Sequence, residues 1–200
     1  MNAVLKPPFI TVEDYLASEL ISDIKHEYEN GVVYAMSGTS VNHDRISKAL
    51  ARKLAEHLDN SPYEVLGQDI KVHVADNKFY YPDLMVICNH ENGDDYYTDK
   101  PILIIEVLSD STQRKDRTSK RWAYQNLPSL LEYVLIEQDF VDIEVSRRSI
   151  NWQSQHYFLG NEVFFESLDL KVPVADIYRR VDNEDMREFL QVNEYESSKN

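Results

Sequence analysis

The stretch PILIIEVLSDST, residues 101–112, decides the fold class of this 200-residue chain. Its first part, PILIIEV, is a nearly continuous apolar run, which is typical of a strand covered on both faces in the centre of a sheet. The run contains Glu106, whose carboxylate must be hydrogen-bonded, neutralised or bound to a cation, because an isolated buried charge is too costly. The stretch therefore predicts a central strand that carries a carboxylate with a specific partner.

Helix and hairpin signals precede this strand. TVEDYLASEL (residues 11–20) predicts a short first helix, because its threonine and aspartate resemble a capped helix start. KHEYENGVVYAM (residues 25–36) predicts a hairpin, since Asn-Gly at 30–31 separates two strand-like runs. SVNHDRISKALARKLAEHLD (residues 40–59) predicts an amphipathic helix, because its apolar residues recur every four positions.

Further strands are predicted from alternating or continuous apolar runs. These runs cover residues 63–75, 79–87, 132–139, 140–148, 151–159 and 162–167. Gly67 indicates a bulge or bend in the first of them. Pro82 cannot donate to a strand ladder, which indicates an edge, a bulge or the start of a strand.

The segment after Glu106 predicts a helix. Ser109 or Asp110 can cap it, and it runs to about Asn126 before Pro128 ends it. A terminal helical segment is indicated from residue 176 onward. Helices and strands mixed in this order predict one α/β (α+β) domain, in which helices flank a mixed β-sheet.

The predicted domain spans residues 1–200, with a core at about 11–180 and an acidic C-terminal tail at 182–200. Lys and Arg number 21 against 35 Asp and Glu, which gives a formal net charge of −14. This charge argues against nucleic-acid binding over the whole surface, although it permits a local basic face.

Cys88 is the one cysteine of the chain, which excludes an internal disulfide framework and a multi-cysteine zinc site. The N-terminus has no apolar run long enough for a signal peptide, and no segment approaches the ~20 apolar residues of a membrane span. We therefore expect a cytoplasmic protein that does not contact a membrane.

Asp83 and Glu106 are the strongest candidates for chemistry. Each is a carboxylate on a predicted strand of apolar residues, and on neighbouring strands the two would face each other. Two close carboxylates repel unless one is protonated or both hold a cation, and two acids completed by waters and a substrate phosphate suit Mg²⁺. The alternative is a surface aspartate at a turn and a strand-end glutamate, each in its own salt bridge.

The helix after Glu106 carries a second candidate group. Asp116, Lys120 and Tyr124 are spaced four apart and therefore share one helix face. The Lys120 ammonium could reach the carboxylates and stabilise negative charge on a phosphate or orient a water. An ordinary Asp–Lys helix pair explains the same spacing.

Other residues carry weaker signals. Arg114, Arg117 and Arg121 form a stripe suited to backbone phosphates, but a solvated helix face has the same pattern. His43 at the start of the second helix and Glu27 before the Asn-Gly turn have no functional signal when each is taken alone.

Taken together, these motifs resemble the Uma family of bacterial proteins, described as "putative restriction endonucleases" and similar to nucleases of the PD-(D/E)XK fold. The resemblance covers most of the chain. The motifs are Pro82-Asp83, EVLSDST (Glu106–Thr112), Asp116/Lys120/Tyr124, the E-x-x-N-G hairpin from Glu27 to Gly31, and MSGTSVNH (Met36–His43).

The resemblance implies a restriction-endonuclease-like core and Mg²⁺-dependent (or Mn²⁺-dependent) hydrolysis of DNA phosphodiester bonds. It implies Asp83 and Glu106 as Mg²⁺ ligands, Lys120 as the catalytic lysine and Glu27 as an accessory acid. We expect further accessory roles for His43, Asp116 and Tyr124. One departure from the wider nuclease pattern is Leu108, which stands where the E-x-K motif has its lysine. A homodimer is implied because such nucleases often pair subunits to cut two strands.

Two other functions remain open at the sequence level. The net charge and Leu108 favour a catalytically inactive nuclease-fold module that binds nucleic acid or protein. A metal-dependent hydrolase of a smaller phosphate ester would also explain the acidic surface. Metal titration distinguishes the inactive module from an enzyme, because only the enzyme needs to bind metal at the two carboxylates. Comparing the hydrolysis of DNA with that of small phosphodiesters distinguishes the small-ester hydrolase from a nuclease.

Overall fold

The computed structural model of the protein describes residues 9–74, 77–89 and 94–197. The helices are α1 (Val12–Glu19), α2 (Val41–Leu58), α3 (Gln113–Lys115), α4 (Arg121–Gln125), α5 (Val174–Tyr178) and α6 (Glu184–Ser197). A π-helical turn, Asp116–Lys120, joins α3 directly to α4. The strands are β1 (His26–Glu29), β2 (Val32–Ala35), β3 (Tyr63–Gly67), β4 (Lys71–Val74), β5 (Lys78–Tyr80), β6 (Leu84–Cys88), β7 (Tyr97–Thr98), β8 (Pro101–Val107), β9 (Glu132–Ile136), β10 (Ile143–Arg147), β11 (Ser154–Tyr157), β12 (Glu162–Phe165) and β13 (Leu170–Pro173).

The largest sheet has six strands in the order β11-β10-β9-β8-β6-β3. Strand β8 lies inside it, parallel to β9 and antiparallel to β6, as the apolar run predicts. Leu103 and Ile105 pack on one face with the apolar stripe of α2, whereas Ile104 packs on the other face with Tyr124 of α4. The predicted mixed sheet with flanking helices is therefore confirmed, and Glu106 lies on the α4 side because side chains alternate along a strand.

A second sheet has five strands in the order β2-β1-β5-β4-β7. The predictions of continuous strands at 63–75 and 79–87 are wrong, because each segment forms two strands that belong to different sheets. The first segment turns after Gly67, whose carbonyl accepts from Ile70 N at 3.3 Å. The second is interrupted at residues 81–83, which include Pro82 and lie between β5 and β6. Asp83 consequently lies where the two sheets meet.

The helix after β8 begins at Gln113, so the predicted cap at Ser109 or Asp110 is wrong. The Ser109 hydroxyl instead lies 3.0 Å from the Thr112 hydroxyl. The backbone carbonyl of Ser109 accepts from Gln113 N at 2.9 Å. These bonds fold residues 109–112 into a turn before the helix. The predicted end before Pro128 is confirmed, since α4 ends at Gln125.

The C-terminal third differs from the sequence prediction in three places, the first being β13 (Leu170–Pro173), which no predicted strand covers. The predicted strand at 151–159 is shorter, because Asn151 and Trp152 adopt positive φ and only Ser154–Tyr157 is extended. The acidic segment 182–200 contains helix α6, which buries Met186 in the apolar core between α2 and the six-stranded sheet. Its last residues, 198–200, lie outside the described residues. In the described part of the chain, no helix has the length and apolar character that crossing a bilayer requires.

The predicted hairpin is confirmed, with Glu29 opposite Val32 and Asn30-Gly31 as the two-residue turn. Asn30 has φ of 49° and Gly31 has φ of 91°, as a type I′ turn requires. A Cβ on Gly31 would lie 2.2 Å from Cδ2 of Phe9. The hairpin therefore depends on glycine both for its backbone conformation and for space.

We expect Gly31→Ala to lower the free energy of unfolding by about 1–2 kcal/mol, because an L-residue is strained at this φ. Gly38→Ala is the matched control, since nothing lies within 4 Å of its added Cβ and its φ is not positive. Urea unfolding of both variants measures the difference. Equal midpoints for the two variants would contradict the turn geometry.

Candidate active site

A cleft of about 530 Å³ lies where the two sheets meet the π-helical turn. Its lining includes candidate residues from five separate segments of the sequence. They are Glu27 from β1, His43 from α2, Asp83 from the β5–β6 junction, Glu106 from β8, and Asp116 and Lys120 from the π-helical turn. Segments up to 93 residues apart in sequence thus meet at one place, Glu27 being the first and Lys120 the last of these six.

Asp83 and Glu106 are neighbours because β6 pairs with β8, with Leu84 opposite Ile105. The Asp83 backbone N–H donates to Glu106 Oε2 across a long 3.4 Å contact. Val107 N donates to Asp83 Oδ2 at 2.7 Å, so the backbone of β8 holds the Asp83 carboxylate directly. The predicted pair of carboxylates on neighbouring strands is therefore present in the fold.

His43 is the second group that holds Asp83. Its Nε2 lies 3.0 Å from Asp83 Oδ2, and its side chain is buried. The Ser40 hydroxyl caps α2 by accepting from His43 N at 3.1 Å and also donates to Gln138 Oε1. The cap holds the backbone of His43 at the start of α2, and the contact with Asp83 gives its ring a partner that the sequence alone did not indicate.

Lys120 lies among three carboxylates and is only 5% exposed. Its Nζ is 2.8 Å from Glu27 Oε1, 3.1 Å from Glu106 Oε1 and 3.2 Å from Asp116 Oδ1. Burial lowers the pKa of the Lys120 ammonium, but the charges of Glu106 and Glu27 outweigh it and raise that pKa well above its ordinary value. Lys120 therefore stays positively charged inside the cleft.

For the pKa of Glu106, the effect of burial is larger than the effect of the neighbouring positive charge. Burial raises the pKa of the Glu106 carboxyl well above its ordinary value, against the opposing effect of the Lys120 ammonium. The carboxylates of Asp116 and Asp83 raise this pKa further. Tyr124, buried behind the cleft, donates its hydroxyl to Glu106 Oε1 at 3.2 Å. Glu106 is thus held in place at a site that favours a bound proton or cation.

Lys115 is a charged residue of the cleft that sequence analysis missed. Its Nζ donates to Glu27 Oε2 at 2.8 Å and lies 2.6 Å from Glu29 Oε1. On a regular α-helix, residues five apart differ by about 140° in direction, so Lys115 and Lys120 would point apart. The i→i+5 closure of a π-helical turn returns them to one side, and nothing local in the sequence announces such a turn.

The structure does not bring the three predicted phosphate-binding arginines into the cleft lining. Arg117 and Arg121 both form ion pairs with Glu144 of β10, and Arg117 also pairs with Glu137. Arg114 is exposed on α3. Contact of these side chains with nucleic acid stays a prediction, and for Arg117 and Arg121 it would require breaking ion pairs within the protein.

Comparison with known proteins agrees with this architecture. The model of the Uma2 family, described as "Putative restriction endonuclease", matches residues 12–175. The chain belongs to the Uma2 family. This finding confirms the resemblance inferred from the motifs, and the description of the Uma2 family supports a nuclease function with nucleic acid as the substrate.

Two relatives from Synechocystis sp. (strain ATCC 27184 / PCC 6803 / Kazusa) are each 32% identical to this Uma2 chain. "Uncharacterized protein slr1290" aligns over 176 residues, 86% of this chain and 93% of its own. "Uncharacterized protein sll1609" aligns over 142 residues, 69% of this chain and 80% of its own. Neither description carries a function.

A solved Uma2-like structure shares the fold. It is the crystal structure of "a putative nuclease belonging to DUF820" from Anabaena variabilis ATCC 29413. The TM-score is 0.70 at 17% identity, over 85% of this chain and 98% of that chain. At this identity the likeness shows the fold alone, and it confirms the expected nuclease-like α+β architecture.

The Uma2 cleft has donors that suit a divalent cation. Asp83 and Glu106 supply hard carboxylate oxygens, and Mg²⁺ commonly binds through one or two carboxylates while keeping several waters. Over residues 9–74, 77–89 and 94–197, no group of three or more His, Cys, Asp or Glu side chains is arranged to hold a metal ion. Two acidic ligands completed by waters and a substrate phosphate would suit the oxygen donors of Asp83 and Glu106.

Proposed function

We propose that this protein is a metal-dependent endonuclease that hydrolyses phosphodiester bonds of DNA with Mg²⁺ or Mn²⁺. The observation that carries the proposal is the cleft in which Asp83 and Glu106 lie side by side next to the buried ammonium of Lys120. A lysine beside two carboxylates on adjacent strands suits phosphoryl chemistry, because cations stabilise the charge that develops in the transition state.

Asp83 and Glu106 would hold the metal ion. When bound there, Mg²⁺ would polarise the scissile phosphodiester and lower the pKa of a bound water. Val107 N and His43 keep Asp83 in place, whereas Tyr124 keeps Glu106 in place. These contacts prepare the two carboxylates before substrate arrives, which is where much of the catalytic advantage of a rigid site originates.

Lys120 would supply positive charge to the reacting phosphate or orient the attacking water. The position two residues after Glu106, which holds lysine in the wider nuclease pattern, is Leu108. Leu108 is 1% exposed and packs in the apolar cluster beneath α4. A lysine there would face a hydrophobic core, so the ammonium from the π-helical turn takes that role in this proposal.

Asp83→Ala is expected to lower Mg²⁺-dependent DNA cleavage by about a thousandfold, because one of two metal ligands is lost. Single-turnover cleavage of a labelled duplex at saturating Mg²⁺ measures the effect. Asp44→Ala is the matched control, since Asp44 is an exposed aspartate in α2 whose partner is Lys48. Unchanged cleavage by Asp83→Ala would reject the proposed role of Asp83.

The second candidate function is a non-catalytic module that binds nucleic acid or protein. The net charge of −14 and the ion-paired Arg117 and Arg121 favour it. Calorimetric titration with Mn²⁺ distinguishes the two functions: the endonuclease binds Mn²⁺ at Asp83 and Glu106, and the inactive module does not. Hydrolysis of small phosphodiesters without DNA cleavage would instead favour a hydrolase of smaller esters.

Cleavage of both strands of a duplex by one assembly would favour a homodimer.

A further inference from the structure

We propose that Lys115 is a positioning residue of the active site. By holding Glu27, it allows the ammonium of Lys120 to leave Glu27 and turn toward the substrate phosphate. This inference rests on the proposed function, because it assigns a step to the lysine of that reaction. Lys115 and Lys120 lie on the same side of the helix because the π-helical turn Asp116–Lys120 separates them.

Glu27 is shared between two ammonium groups. Lys115 Nζ donates to its Oε2 at 2.8 Å, whereas Lys120 Nζ lies 2.8 Å from its Oε1. The two ammonium groups contact different oxygens of the same carboxylate, and Lys115 Nζ also lies 2.6 Å from Glu29 Oε1. Glu27 therefore keeps a cationic partner if Lys120 moves away.

The Lys120 ammonium is surrounded by carboxylates in this arrangement, which leaves no N–H donor directed at a substrate. An ammonium group has three N–H donors, and the Lys120 Nζ is surrounded by carboxylate oxygens of Glu27, Glu106 and Asp116. A phosphate or attacking water can reach this ammonium only if one carboxylate gives way. Glu27 is the carboxylate that another cation already neutralises, so separating it from Lys120 costs the least.

Lys115 is held so that it can keep Glu27 when Lys120 turns. Its Nζ also contacts Glu29 and lies over the rings of Tyr34 and Tyr80, at 4.8 Å and 5.1 Å from their centres. Burial raises the pKa of Glu27, but the ammonium groups of Lys120 and Lys115 outweigh it and hold that pKa below its ordinary value. Glu27 therefore remains an anion that requires a cation, and Lys115 provides one.

Lys115→Met is expected to lower kcat for DNA cleavage by roughly tenfold to a hundredfold, the usual effect of losing a residue that orients a catalytic group. KM stays unchanged, since Lys115 does not touch substrate in this proposal. Lys115→Arg restores most of the activity. Lys171→Met is the control, because Lys171 is exposed on β13.

The decisive kinetic result is a double-mutant cycle. In a Glu27→Gln background, Lys115→Met is expected to cause little further loss, because the charge that Lys115 neutralises is gone. A full additional loss in that background, or a rise in KM with a weaker salt dependence, would overturn the inference. The second pattern would identify Lys115 as a phosphate-binding residue.

A measurement without substrate keeps the inference testable if the protein cleaves nothing. The side-chain ¹⁵N signal of Lys120 is assigned by its disappearance in Lys120→Arg. This signal should shift in Lys115→Met and return toward its original position in Lys115→Met with Glu27→Gln. An unchanged position of the Lys120 ¹⁵N signal in Lys115→Met would overturn the inference. Absence of cleavage by the wild-type protein would overturn only the proposed function.

Discussion

Replacing Glu106 by glutamine should lower kcat/KM for phosphodiester cleavage by about a thousandfold, roughly 4 kcal/mol of transition-state stabilisation. The glutamine side chain has nearly the same shape and can still accept from the Tyr124 hydroxyl, which donates to Glu106 at 3.2 Å. It removes the negative charge that a metal ligand needs. Cleavage of a labelled duplex at saturating Mg²⁺ gives the comparison with wild type.

Glu106→Gln should keep the fold. Burial already disfavours the charged carboxylate, since it raises the pKa of Glu106 well above its ordinary value, and Lys120 keeps the carboxylates of Glu27 and Asp116 as partners. Glu56→Gln is the matched control on the exposed face of α2. Wild-type activity in Glu106→Gln would contradict the assignment, and loss of cooperative unfolding would show that activity was lost through the fold.

Lys120→Met should cause the largest combined loss of stability and activity. The variant leaves the carboxylates of Glu27, Glu106 and Asp116 close together without the ammonium among them. Removing one partner from a buried ionic group costs about 3–5 kcal/mol, which urea unfolding measures. Losing positive charge at the reacting phosphate should lower kcat by about a hundredfold to a thousandfold.

Added Mg²⁺ and a control variant test whether carboxylate repulsion causes the loss of stability in Lys120→Met. If carboxylate repulsion destabilises Lys120→Met, Mg²⁺ should raise the unfolding midpoint of this variant more than that of wild type, because a ligand that binds the folded state stabilises it. Lys48→Met should change the midpoint little, because its pair with Asp44 is exposed. Equal stability of Lys120→Met and wild type would contradict the buried cluster.

Local sequence signals predicted the elements that carry most of the cleft. The apolar run around Glu106 identified an interior strand, and the four-residue spacing of Asp116, Lys120 and Tyr124 identified a shared helix face. Both signals are patterns within one element: a continuous apolar run for the strand and a four-residue spacing for the helix. All three residues of that helix face are buried on the side of Glu106, as the spacing predicts.

Long-range geometry set the features that the sequence did not reveal. Two predicted strands divide between sheets because tertiary pairing overrides a continuous pattern. The π-helical turn adds Lys115 to the cleft, although five-residue spacing points away on a regular helix. Arg117 and Arg121 pair with Glu137 and Glu144, which follow 20 or more residues after the arginine that they contact, so the helix alone could not show that its arginines are paired.

Metal-dependent cleavage is the most direct test of the central claim. Purified protein is incubated with varied DNA duplexes and RNA in Mg²⁺ or Mn²⁺, in parallel with Glu106→Gln and with excess chelator. We predict strand breaks in DNA with the wild-type protein and metal, and none with chelator or with Glu106→Gln. Equal cleavage by the variant, or intact DNA with the wild-type protein in both metals, would contradict the proposal that Asp83 and Glu106 form a metal-dependent nuclease site.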